Sequence, residues 1–101
     1  MTTQTAVSTV PFWIEGQPRA GQGSREGAVT NSATGEVVRT VPFANDADID
    51  HAVSSARAAF PSWRATTPLR RARILMRFRD LLERRTPDLA AVITEEHGKT
   101  L

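Results

Sequence analysis

The sequence predicts an antiparallel β-ribbon followed by three amphipathic α-helices. Two observations predict it. Up to residue 44, short β-branched and aromatic runs alternate with clusters of Gly, Asn, Ser and Thr; beyond it, apolar residues recur at helical spacing behind recognisable capping residues.

Residues 1–11 are Thr-rich and uncharged, have no face to bury, and are expected to form a flexible tail, with the folded part running over 12–101. Phe12-Trp13-Ile14 reads as a short strand entering the turn Glu15-Gly16-Gln17-Pro18. Gly21, Gly23 and Gly27 follow. A dinucleotide fingerprint would place its third glycine at position 26, which is Glu26, so the segment reads as a flexible hairpin loop. Ala28-Val29-Thr30-Asn31 leads into the turn Ser32-Ala33-Thr34-Gly35, and Glu36–Val41 returns as a β-branched strand.

Asn45 is a good N-cap, with Asp46, Asp48 and Asp50 near the positive end of the helix dipole. Ile49, Ala52, Val53, Ala56 and Phe60 share one face, and Pro61 is expected to end the helix. The second helix opens with Thr67 as cap and Pro68 at its first position. It presents Ala72, Leu75, Phe78 and Leu82 on one side and Arg70, Arg73, Arg77 and Arg84 on another. The third helix repeats the start signal in Thr86-Pro87-Asp88 and stops at Gly98, a residue that takes a left-handed turn without steric cost.

The closing Gly98-Lys99-Thr100 resembles the end of a phosphate-binding loop, but that loop needs a glycine at position 93, which is Ile93, and a strand before it. With Gly98 as a helix stop, Glu95 and Glu96 fall in the last turn, at the negative end of the dipole. Either they are solvated or paired with Arg84, Arg85 or Lys99, or Glu96 addresses a cation or polar partner outside the helix.

Composition narrows the functions. The chain has no cysteine, which excludes disulfides, zinc–thiolate sites and thiol nucleophiles within it. It has no apolar run near the roughly 18 residues of a membrane span and no signal-peptide pattern at its start, so a soluble, cytoplasmic protein is expected. Residues 1–60 carry four basic and six acidic side chains, and residues 61–101 nine basic and five acidic. Seven arginines lie between Arg70 and Arg85, but Asp80 and Glu83 interrupt them and no aromatics alternate for base stacking. A solvated helix face is the simpler reading; a nucleic-acid-binding or partner-docking module is the rival. His51 and His97 are far apart in sequence and show no metal-ligand spacing. No catalytic and no cofactor-binding residue is expected within these residues.

The pieces Phe12-Trp13-Ile14-Glu15-Gly16, Thr30–Val37, Asp48–Val53, Ala58-Ala59-Phe60, Trp63-Arg64 and Glu96-His97-Gly98-Lys99, in this order and spacing, resemble the N-terminal part of an aldehyde dehydrogenase. Pro68–Phe78 and Glu96–Leu101 are most similar to the CoA-acylating methylmalonate-semialdehyde dehydrogenases. The resemblance implies an α/β, Rossmann-type enzyme of which these residues form the β-hairpin region and three helices, inactive alone. It further implies NAD as cofactor, coenzyme A as co-substrate, a small-molecule aldehyde substrate and a homo-oligomer, expected as a tetramer, with neither nucleic acid nor membrane as partner. A general NAD(P)-dependent aldehyde or succinate-semialdehyde dehydrogenase is the alternative within the family. The thiolate nucleophile and the cofactor loop belong downstream. By the same resemblance, the Val29 and Thr30 carbonyls and Glu96 would be ligands of a monovalent cation. One departure is Ser32, where the family pattern Asn-Pro-Ala-Thr-Gly has proline; a looser turn is expected there.

Overall fold

The computed structural model describes residues 7–101. Its strands are β1 (Ser8–Thr9), β2 (Phe12–Ile14), β3 (Gln17–Arg19), β4 (Glu26–Thr30) and β5 (Val37–Pro42), and its helices are α1 (Asp46–Ala65), α2 (Pro68–Arg84) and α3 (Thr86–His97). The strands form two sheets, β2-β3 and β1-β5-β4.

Strands β2 and β3 are antiparallel, with Ile14 opposite Gln17, so only Glu15 and Gly16 make the turn. Both are left-handed, at φ 57° and 72°. That pair of positive φ values matches the twist of a two-residue hairpin. Arg19 Nη2 donates to Glu15 Oε2 at 2.8 Å, holding the non-glycine residue in its less favoured conformation. Strands β4 and β5 pair antiparallel, with Val29 opposite Arg39 and Thr30 opposite Val37, a one-residue register shift that leaves Val38 unpaired.

The ribbon is not wholly antiparallel. Strand β1 pairs parallel with β5, Ser8 opposite Arg39 and Thr9 opposite Thr40, and the two threonine hydroxyls lie 3.0 Å apart. Pairing therefore starts at Ser8, ahead of Phe12; residues 1–6 of the expected tail lie outside the described residues. A two-residue polar strand has no periodicity to announce it.

Helix α1 begins as expected. Asn45 Oδ1 accepts the Asp48 N–H at 2.9 Å and Asp48 Oδ2 accepts the Asn45 N–H at 3.1 Å, a reciprocal capping box. The Asp48 carboxylate also accepts the Gln22 N–H, 3.1 Å from each oxygen. It thus fastens the glycine-rich loop to the helix. That loop is more constrained than a flexible connector, since a Cβ on Gly23 would stand 2.6 Å from the Phe43 carbonyl oxygen.

Two boundaries differ from expectation. Helix α1 runs through Pro61 and ends at Thr66, whose N–H reaches the Ser62 and Trp63 carbonyls at 3.1 Å and whose hydroxyl donates to Ser62 O at 2.9 Å. Proline removes the donor that would meet the Arg57 carbonyl, and both residues are exposed, where water can serve that oxygen. Thr86 does not cap α3. Only Arg85 separates α2 from α3, and Thr86 lies inside the third helix with its hydroxyl donating to Leu82 O at 3.0 Å. The two helices are nearly continuous, so a carbonyl of α2 takes the hydroxyl. Gly98 terminates α3 at φ 78°, its N–H on Thr94 O at 2.8 Å, as expected.

Among the described residues no apolar side chain is fully buried, and Asp48, at 5% exposure, is the only buried residue. Phe60 and Phe78, central to the apolar stripes of α1 and α2, are 58% and 56% exposed. The radius of gyration is 17.7 Å and the extents are 56 × 35 × 20 Å. A compact domain of this length would have a radius of about 13 Å. The helices present their apolar faces outward.

Candidate functional site

Two polar clusters stand out, one at each end of the helical array. The first joins the N-terminus of α1 to the β2-β3 hairpin. Glu15 lies 2.8 Å from Arg19 Nη2 through one oxygen and 3.4 Å from His51 Nε2 through the other. A cavity of about 120 Å³ opens beside them, lined by Phe12, Ile14, Arg19, Gln22, Asp48 and His51. Among the described residues Arg19 Nε and His51 Nε2 have no hydrogen-bond partner of acceptable geometry and are buried. The groups can hold a small polar species but include no thiol or hydroxyl nucleophile.

The second cluster joins the β4-β5 turn to the end of α3. Asn31 shapes the turn: its Oδ1 accepts the Ala33 and Thr34 N–H groups at 2.9 and 3.3 Å, and its carbonyl accepts the Gly35 N–H at 2.7 Å. The turn is thus held without the proline of the family pattern. Ser32 uses the N–H that proline would lack: its backbone N–H and its hydroxyl both donate to Glu95 O, at 3.0 and 3.3 Å. Arg39, on β5, then faces both acids of the last helical turn, with Nη2 2.7 Å from Glu95 Oε2 and Nη1 3.4 Å from Glu96 Oε1.

Of the expected cation ligands, Val29 and Thr30 lie on β4 and Glu96 in the last turn of α3. Arg39 links them, being the register partner of Val29 and the contact of Glu96. One oxygen of the Glu96 carboxylate, Oε1, is thus in contact with a guanidinium. The neighbours offered by the sequence for Glu95 and Glu96 are not their partners: Arg85 pairs with Asp88 at 3.4 Å, and the guanidinium that answers the two acids comes from a strand 56 and 57 residues earlier. The reading in which Glu96 addresses a polar partner outside its helix is the one observed. Arg39 went unnoticed in the sequence, and Ser32 was read only as a turn residue, because nothing local marks their partners on α3. The position of the acids against the helix dipole was the available signal, and it pointed to a missing positive charge without naming it.

Among the described residues no three His, Cys, Asp or Glu side chains converge as a metal site, and no helix is long and apolar enough to cross a membrane. His51 and His97 sit at opposite ends of the helical region.

Comparison with known proteins places this geometry. The profile described as the aldehyde dehydrogenase family matches residues 19–101. A malonate-semialdehyde dehydrogenase of Pseudomonas aeruginosa is 43% identical over 94% of this chain and 19% of its own length. A Caenorhabditis elegans protein assigned as an acylating, mitochondrial methylmalonate-semialdehyde/malonate-semialdehyde dehydrogenase is 41% identical over 95% of this chain and 18% of its own. Among solved structures, a Sinorhizobium meliloti 1021 protein assigned as a methylmalonate-semialdehyde dehydrogenase and complexed with NAD is similar at a TM-score of 0.89. It is 44% identical, over 93% of this chain and 19% of that one. The chain spans about a fifth of the length of the relatives it matches.

Proposed function

Because the chain belongs to the aldehyde dehydrogenase family, we propose that it is a part of an NAD-dependent, CoA-acylating dehydrogenase of methylmalonate or malonate semialdehyde. The observation that carries this reading is identity of 41–43% along nearly the whole chain with enzymes of that name, in a bacterium and in an animal. The reaction is methylmalonate semialdehyde, CoA and NAD⁺ to propionyl-CoA, CO₂ and NADH. NAD supplies the hydride acceptor in that chemistry, and a thiolate nucleophile must come from outside these 101 residues, since they contain no cysteine.

The role of this segment is architectural. It contributes a fastened β-ribbon and three helices whose apolar faces, exposed here, suit a neighbouring sheet. By itself it is expected to be inactive.

The test is to express the complete coding sequence and follow NADH formation with methylmalonate, malonate and succinate semialdehydes, each with and without CoA. Turnover of the first two that requires CoA is the expected result. CoA-independent oxidation, or a preference for succinate semialdehyde, would move the protein to the general aldehyde dehydrogenases.

A further inference from the structure

We propose that the Arg39 guanidinium, in place of a bound monovalent cation, is the positive charge that ties the β4-β5 hairpin to the C-terminus of α3. Two adjacent carboxylates at the negative end of a helix repel each other and the helix carbonyls, so a compensating charge is favourable there. Arg39 supplies it from a single planar fork, one nitrogen to each acid, at 2.7 and 3.4 Å. This is the most enclosed ion pair among the described residues, with the Arg39 and Glu95 side chains 27% and 32% exposed.

Position argues for the same assignment. Arg39 is opposite Val29 in the ladder, so its side chain arises beside the strand whose carbonyls would have served a cation. The Ser32 N–H and hydroxyl fix the Glu95 carbonyl against the turn, which sets the helix end at the height of the guanidinium. A cation drawn to Glu96 would meet an arginine already in contact with the same carboxylate, and two like charges at that range repel. Arg39 is a positioning residue: it acts through Glu95 and Glu96, and the junction it makes needs no ion.

The inference draws on the family reading only for the material, the complete protein, and its readouts do not depend on activity. Thermal unfolding of that protein would be compared in KCl, NaCl and choline chloride at equal ionic strength, together with crystals grown in RbCl and examined for anomalous scattering. The expected result is one unfolding midpoint in all three salts and no rubidium at the junction. Arg39→Gln should lower the midpoint in choline chloride and recover part of it in KCl or NaCl, as the orphaned acids recruit an ion. Should that variant not fold, Arg39→Lys retains the charge and should remain indifferent to the cation. Rubidium held by Glu96 in the unaltered protein, or selective stabilisation of it by potassium or sodium, would overturn the proposal and support Val29, Thr30 and Glu96 as cation ligands. Failure of the dehydrogenase assay with these results intact would instead count against the functional reading.

Discussion

Gly98 carries two constraints at once. Its φ of 78° lies in the left-handed region, and a Cβ added there would stand 3.0 Å from the Ser32 hydroxyl oxygen. The first constraint was legible in the sequence as a helix stop; the second depends on a turn 66 residues away. Gly98→Ala should destabilise the complete protein by about 1–2 kcal/mol for the backbone alone, with the hydroxyl contact adding to it. Removing that hydroxyl first should reduce the penalty. A double-mutant cycle of Gly98→Ala with Ser32→Ala, read as shifts in denaturant midpoint, should therefore show coupling. Equal penalties in both backgrounds would mean that the contact carries no weight. Ser32 illustrates the limit of reading one residue against a family pattern. The loss of proline suggested a looser turn, yet the freed N–H ties the turn to a helix.

Among the elements, α1 shows which signals are reliable. Its N-terminus was readable because Asn45 and Asp48 are three residues apart, and the capping box is built from neighbours alone. Its C-terminus was not. Proline breaks a helix by removing one bond and crowding the previous turn, but near an exposed helix end the stranded carbonyl is served by water, and the Thr66 bonds reward another turn. Pro61→Ala would restore the donor to the Arg57 carbonyl. It should raise stability by about 1 kcal/mol or more, visible as a higher unfolding midpoint of the complete protein without loss of helical circular dichroism. A lower midpoint would show that the proline ring makes a needed contact elsewhere. The Thr86 signal failed for a related reason: Thr-Pro-Asp is a start pattern in a free chain, but α2 ends at Arg84, only two residues earlier, and its Leu82 carbonyl claims the hydroxyl.

At the scale of the whole molecule, secondary structure exceeds tertiary burial. Among the described residues the apolar stripes of the helices remain largely uncovered, which leaves residues such as Leu75, at 59% exposure, facing water. Burial of such side chains is worth about 1.5–3 kcal/mol each, the main term opposing chain entropy. The isolated 101-residue chain should therefore show no cooperative thermal transition, and it should bind a hydrophobic dye such as ANS. Trp13, 71% exposed, should emit as a solvated indole and shift to the blue when the rest of the protein is supplied. A sharp, reversible unfolding transition of the isolated chain would contradict this account.

Much of this protein can be read from sequence alone. The β4-β5 hairpin, the three helices, the cap at Asn45, the stop at Gly98 and the membership of the aldehyde dehydrogenase family all rest on patterns that neighbouring residues or ordered motifs carry, whereas Gln17 and Pro18, read as turn, belong to β3. Local chemistry suffices there, because a cap, a turn or an amphipathic period is complete within a few residues. The tertiary structure alone decided what joins these pieces: β1 beside β5, Asp48 on the Gln22 amide, and Arg39 on Glu95 and Glu96. Those contacts span 26 to 57 residues of chain, and for a charge or a backbone N–H many partners are chemically equivalent. Which one is met depends on where the fold carries it, and no short-range pattern records that choice.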